Sequence, residues 1–176
     1  MSEQPSPRGP EQPGRPVPAR QRLLVGLVVA LVVVVAAWVY LAGSRGVEAA
    51  PRGGDPACAR LLRALPEQLG GAARSPQGAA GVAVWGEERV VLRCGSTVLG
   101  PTTKPCIPVG PAEGPSVDWV EDARGERAVR FLTYGRDPAV EVTVRFAADL
   151  TSDQATAQLV DLAPAVDAVP QTRTCL

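Results

Sequence analysis

Residues 139–146 read AVEVTVRF, with Val140, Val142, Val144 and Phe146 alternating against Glu141, Thr143 and Arg145. A period of two, with one apolar and one polar row, predicts an antiparallel strand that is wet on one face. The preceding TYGRDP (133–138) supplies a turn that joins it to a second strand over 128–134. Working outward, further short alternating segments are expected over 81–85, 89–94 and 116–121, with Gly86 and Gly125 at the turns.

Helices flank these strands. Cys58, Leu61, Leu62, Leu65 and Leu69 recur at helical spacing, behind Asp55 as cap and Pro56 at the first helical position. Pro66 kinks or restarts this helix, and Gly70-Gly71 ends it. A second helix is capped by Thr151-Ser152-Asp153 and runs through Leu159 and Leu162, with an interruption at Pro164. The expected fold class is α+β: about five antiparallel strands flanked by two helices that cover one sheet face, stabilised by disulfides.

Ahead of this domain lies LLVGLVVALVVVVAAWVYL, residues 23–41 from Leu23 to Leu41, without a charge. At about 1.5 Å per residue it approaches the roughly 30 Å hydrocarbon core, so one transmembrane anchor helix is expected. A cleavable signal peptide competes, with Val47-Glu48-Ala49 as cleavage site, but signal h-regions are usually shorter. Arg8, Arg15, Arg20 and Arg22 precede the segment, against Arg45 and Arg52 behind it. The positive-inside rule then leaves the N-terminus cytoplasmic and the C-terminal domain extracytoplasmic. LAGS (41–44) is similar to a lipoprotein box with Ser44 where the acylated Cys would stand, so the helix itself is the expected anchor. The expected organisation is a disordered Pro/Arg-rich tail (1–22), the anchor (23–41), a tether (42–56) and the folded domain (57–176), with the lipid bilayer as partner of residues 23–41.

Cys58, Cys94, Cys106 and Cys175 all follow the apolar segment, an even number that suggests disulfides in an oxidising compartment. The intervening 35, 11 and 68 residues lack the close pairs of a zinc ribbon, and no metal is expected. The expected pairing is Cys94 with Cys106, closing the loop GSTVLGPTTKP, and Cys58 with Cys175, joining the domain's ends.

Composition narrows the chemistry. The chain has 176 residues, 18 basic and 18 acidic side chains and no His. Balanced charge gives no footprint for nucleic acid, and the absence of imidazole removes most hydrolytic triads and His-ligated zinc. Tyr134 and Arg136 are candidates for binding a carboxylate or phosphate, against the plainer reading of a packed turn. Trp119, like Trp85, is either an aromatic platform or core packing. Lys104, the sole lysine, has no Ser-x-x-Lys partner for nucleophilic chemistry. Asp118, Glu121 and Asp122 form an acidic cluster that in principle could serve glycoside hydrolysis. No phosphate-binding glycine loop is present, and no cofactor is expected.

ACARLLRALPEQL (57–69), VAVWGEERVVLRCG (82–95), PTTKPC (101–106), FLTYGRDPAVEVTV (131–144) and the final P-x-x-x-x-C from Pro170 to Cys175 together resemble one actinobacterial family. It is the domain-of-unknown-function family 3515, small membrane-anchored or exported proteins. The resemblance implies a place in the cell envelope and brings no catalytic residues. The expected function is a non-catalytic binding or accessory module outside the membrane, meeting an envelope protein or a cell-wall ligand. The alternatives are a carboxylate-dependent enzyme acting on an envelope polymer and a structural subunit of a membrane complex. Oligomeric state is not legible in the sequence.

Overall fold

A computed structural model describes residues 19–43, 46–145 and 152–175 of the chain. It divides into two compact units, Met1–Arg45 and Gly46–Leu176. In the first, helix α1 (Ala19–Gly43) forms over the apolar segment. Its side chains are described over residues 25–38, and all are exposed there, the large apolar ones from Val35 at 52% to Trp38 at 72%. Among the described residues no helix is long and apolar enough to cross a membrane, which corrects the expected transmembrane helix. Of the expected disordered tail (1–22), residues 1–18 lie outside the described residues, as does Ser44, whereas 19–22 form the first turn of α1.

The second unit is built on one antiparallel sheet of eight strands, where about five were expected. The strands are β1 (Gln68–Leu69), β2 (Ala72–Ser75), β3 (Val82–Trp85), β4 (Val90–Ser96), β5 (Cys106–Val109), β6 (Val117–Arg124), β7 (Ala128–Thr133) and β8 (Ala139–Arg145). Their spatial order is β1-β2-β3-β4-β8-β7-β6-β5. The three extra strands have physical reasons to be quiet in the sequence. β1 is two residues long, and β2 (AARS) has no apolar row. β5 contains Pro108, whose missing N–H costs no ladder bond because β5 is the edge strand.

Helix α2 (Pro56–Ala64) opens as its sequence directs, with the Asp55 carboxylate accepting from the Ala57 N–H at 2.8 Å. It stops earlier than expected. Leu65, preceding Pro66, is extended at φ −66° and ψ 143°, so the stripe does not continue helically to Leu69. Leu69 is buried instead from β1. Helix α3 (Ser152–Val166) runs through Pro164 without interruption. Pro164 is exposed in the last turn, where only the missing hydrogen bond to an earlier carbonyl is lost. The cap residue Thr151 and the strand residue Phe146 lie outside the described residues.

Leu61, Leu65, Leu159, Leu162 and Val166 from the helical side pack on Trp85, Leu92, Phe131, Trp119 and Val142 to form the main core. Cys58 and Cys94 belong to it, and they are bonded to each other with Cα atoms 5.4 Å apart. The second disulfide joins Cys106 to Cys175, Cα atoms 5.9 Å apart. Both expected pairings are thereby corrected. Three strands separate β4 from β5, so Cys94 and Cys106 stand about 19 Å apart across the sheet at roughly 4.8 Å per strand. No turn over the loop 95–105 closes that gap.

The opposite face is not simply wet. Val82, Val84 and Val91 are covered by Val47 and Ala49 from the segment entering the domain and by Ala79. Glu141, expected in the polar row of β8, is only 8% exposed.

Candidate functional site

The second face holds a cleft of about 500 Å³, floored by β4, β8, β7 and β6 and walled by residues 48–51. Its charged lining is Glu48, Arg93, Asp122, Arg130 and Glu141. Strand alternation accounts for the placement. Leu92, Val140, Val142 and Phe131 point into the main core, so Arg93, Glu141, Arg130 and Leu132 point the other way. Register then brings charges together, because Arg93 pairs with Glu141 and Glu141 with Leu132.

Within the floor, Arg93 donates from both Nε (3.0 Å) and Nη2 to the same oxygen of Glu141, Oε1. Asp122 has two cationic partners: Lys104 Nζ donates to Oδ1 at 3.0 Å, and Arg130 donates from Nε at 2.9 Å and from Nη2 to Oδ2. Lys104 also donates to the Asp122 carbonyl at 2.6 Å, which clips the 97–105 loop to β6. The hydrogen bonds from Lys104 and then Arg130 hold the Asp122 carboxyl below its ordinary range. Glu121 is lowered likewise by Arg124, whose Nε donates to it at 2.6 Å.

The candidates from the sequence fall elsewhere. Arg136 is 2% exposed, its Nη1 donating to the carbonyls of Val169 and Asp167 (the latter at 3.1 Å) and its Nη2 to the Asp167 carboxylate at 2.9 Å. It fastens the β7–β8 turn to the end of α3 and offers no fork to solvent. Trp119 is fully buried in the main core, the packing alternative of its two readings. Its Nε1 and the Nε of Arg136 have no hydrogen-bond partner among the described residues. Tyr134 is half-buried beneath the Arg173 guanidinium, 5.7 Å from its ring centroid. Trp85 is buried too, its Nε1 donating to the Pro66 carbonyl at 3.1 Å.

The three acids of the cluster have separate partners. Asp118 Oδ2 accepts from the Cys175 N–H at 2.9 Å and Gln171 Nε2 at 3.1 Å, pinning the C-terminal tail. Only Asp122 of the three lines the cleft. Among the described residues no group of His, Cys, Asp and Glu is arranged to hold a metal ion. Sequence reasoning missed Arg93, Glu141 and Ser96. The available signal was the charged residue in the polar row of each strand, Arg93 after Leu92 and Glu141 after Val140, placed opposite each other only by a register the sequence does not state.

Neither the curated proteins nor the solved structures contain a match to the chain. Residues 23–174, which take in the apolar helix and nearly all of the sheet domain, match the family model described as "Protein of unknown function (DUF3515)", and the chain belongs to that family.

Proposed function

We propose that this protein is a non-catalytic binding module working outside the reducing cytoplasm, in the cell envelope, with the second-face cleft as its binding surface. The observation that carries the reading is the cleft itself: about 500 Å³, within the range of small-ligand sites, on a rigid four-strand floor. Two disulfides support an oxidising compartment. The exposed Val and Leu side chains of α1 support lipid contact through residues 25–38, since each leaves part of the roughly 1.5–3 kcal/mol of full burial unrealised in water.

Binding is favoured over catalysis by the state of the carboxylates. A general acid for glycoside hydrolysis needs a raised pKa, and Glu121 and Asp122 are both lowered by their cationic partners. Asp118 is committed to the tail.

The test is photocrosslinking in intact cells from the full chain at native expression. The crosslinker replaces Thr97 at the cleft, or the exposed Arg60 on α2, on the other side of the sheet. A reproducible adduct from position 97 that is absent from position 60 is the expected result. Equal capture from both positions, or none from 97, overturns the reading.

A further inference from the structure

Both pairing irregularities of the main sheet lie beside the cleft. In β4 the register shifts between Cys94, opposite Val140, and Ser96, opposite Ala139. Cys94 faces the main core, and two residues on Ser96 would face it as well. The bulge at Gly95 turns Ser96 over into the cleft, where it is 8% exposed. In β6 a second shift, between Glu121 and Ala123, leaves Asp122 out of the ladder beside Arg130. Bulges that re-aim side chains concentrate at functional sites.

Two polar groups here, each on a residue 8% exposed, have no hydrogen-bond partner among the described residues. The Ser96 hydroxyl is one. The other is Oε2 of Glu141, since both Arg93 bonds go to Oε1. Ser96 and Glu141 are near neighbours on this face, because Ala139, the partner of Ser96, is two residues from Glu141.

Charge is separated across the floor. At the β6 side one carboxylate, Asp122, is shared by two cations, Arg130 and Lys104. At the β4–β8 side Glu141 faces one cation, Arg93, while Glu48 on the wall makes no ion pair among the described residues. One end thus carries a surplus positive charge and the other a surplus negative one. Their separation is one to two strand spacings, roughly 5–10 Å. No aromatic side chain lines the cleft, so there is no platform on which a sugar ring would stack.

We propose that the cleft binds a small zwitterion, its ammonium group donating to Glu141 Oε2 and Ser96 beside Glu48, and its carboxylate or phosphate set against Arg130. The inference rests on the reading of the cleft as a binding surface and adds the class of ligand. No bond is made or broken; the ligand completes the hydrogen bonds that Ser96 and Glu141 lack.

The experiment is an NMR titration of the oxidised full chain in a nonionic detergent, with free lysine and with phosphoethanolamine as probes. Butylamine and acetate serve as half-ligands. The expected result is saturable shifts at Ser96 and Glu141 with at least one zwitterion, bound about tenfold or more tightly than either half-ligand. Whichever zwitterion binds more tightly identifies the anionic group. Glu48→Gln, at an exposed position that cannot unfold the sheet, is expected to weaken binding by several-fold, and Arg130→Gln by about tenfold. No shift with either zwitterion, a half-ligand binding as tightly, or unchanged affinity in both variants overturns the inference. Crosslinking from position 97 is independent of ligand charge, so it separates a wrong ligand class from a cleft that binds nothing.

Discussion

Gly95 sits at φ +98°, a conformation L side chains rarely adopt, and a Cβ there would overlap the backbone of Arg52 and Gly53. The close approach is fixed by the Arg52 N–H donating to the Gly95 carbonyl at 3.0 Å. Gly95→Ala is therefore expected to destabilise the domain by about 2–4 kcal/mol in urea unfolding, from backbone strain plus overlap. Arg136 is the second decisive residue. Truncation to Ala leaves the carbonyls of Val169 and Asp167 without their donor, at an expected cost of about 3–5 kcal/mol, and Lys, lacking the fork, is expected to restore only part of it. A functional surface arginine would instead lose binding with little change in stability. Nothing in TYGRDP distinguishes these cases, because the partner Asp167 lies 31 residues away. The Asp122 carboxyl adds a pH signature. Its folded pKa is depressed, so its contribution is present above the unfolded carboxylate range near pH 4 and is lost as pH falls through the lower folded value. Asp122→Asn is expected to flatten the acid limb of a stability–pH profile and to leave the neutral-to-basic limb in shape.

At the scale of elements, legibility follows how local the cause is. The cap at Asp55 and Pro56 and the alternation of β8 are written in a few adjacent residues, and the corresponding elements form there. The stop of α2 at Pro66 was legible in principle, because a residue before proline favours extended backbone, yet the apolar stripe through Leu69 argued for a longer helix. Sheet order is a different kind of fact. β8 inserts between β4 and β7, and that non-local pairing sends β5 to the far edge and dictates which cysteines meet. The cleft inherits the same illegibility, since Arg93 and Glu141 are 48 residues apart and meet only through the β4–β8 register. A non-reducing peptide map is expected to recover Cys58 with Cys94 and Cys106 with Cys175, and no peptide joining Cys94 to Cys106. Their separations of 36 and 69 residues correspond to about 4 kcal/mol each in the chain-entropy model. Replacing both Cys106 and Cys175 by Ser is expected to raise hydrogen exchange in residues 170–175 and the β7–β8 turn first, because that bridge ties the tail to β5 and the tail in turn bonds to Gly135 and Asp118.

For the whole molecule, the two bridges differ in access as well as span. Cys58 and Cys94 are both 0% exposed, sealed between α2 and β4, whereas Cys106 and Cys175 are half-buried at the edge of the sheet. Thiol–disulfide exchange requires a nucleophile to reach a sulfur, so access orders the reaction. In a reducing compartment the edge bridge would open, the C-terminal tail would lose its covalent hold on β5, and two thiols would become reactive. In the proposed compartment both bridges persist. The discriminating measurement is maleimide labelling of the full chain in intact cells of its own host, quenched before lysis and read by mass. The expected pattern is no label without reductant, two labels on Cys106 and Cys175 after mild reduction, and four only when reductant is added to the unfolded chain. Label on Cys106 or Cys175 in untreated cells, accompanied by an unlabelled Cys58–Cys94 pair, would place the domain in a reducing environment. That result would leave the fold intact and remove the envelope from the proposed function, because the inner bridge is protected by packing wherever the protein resides.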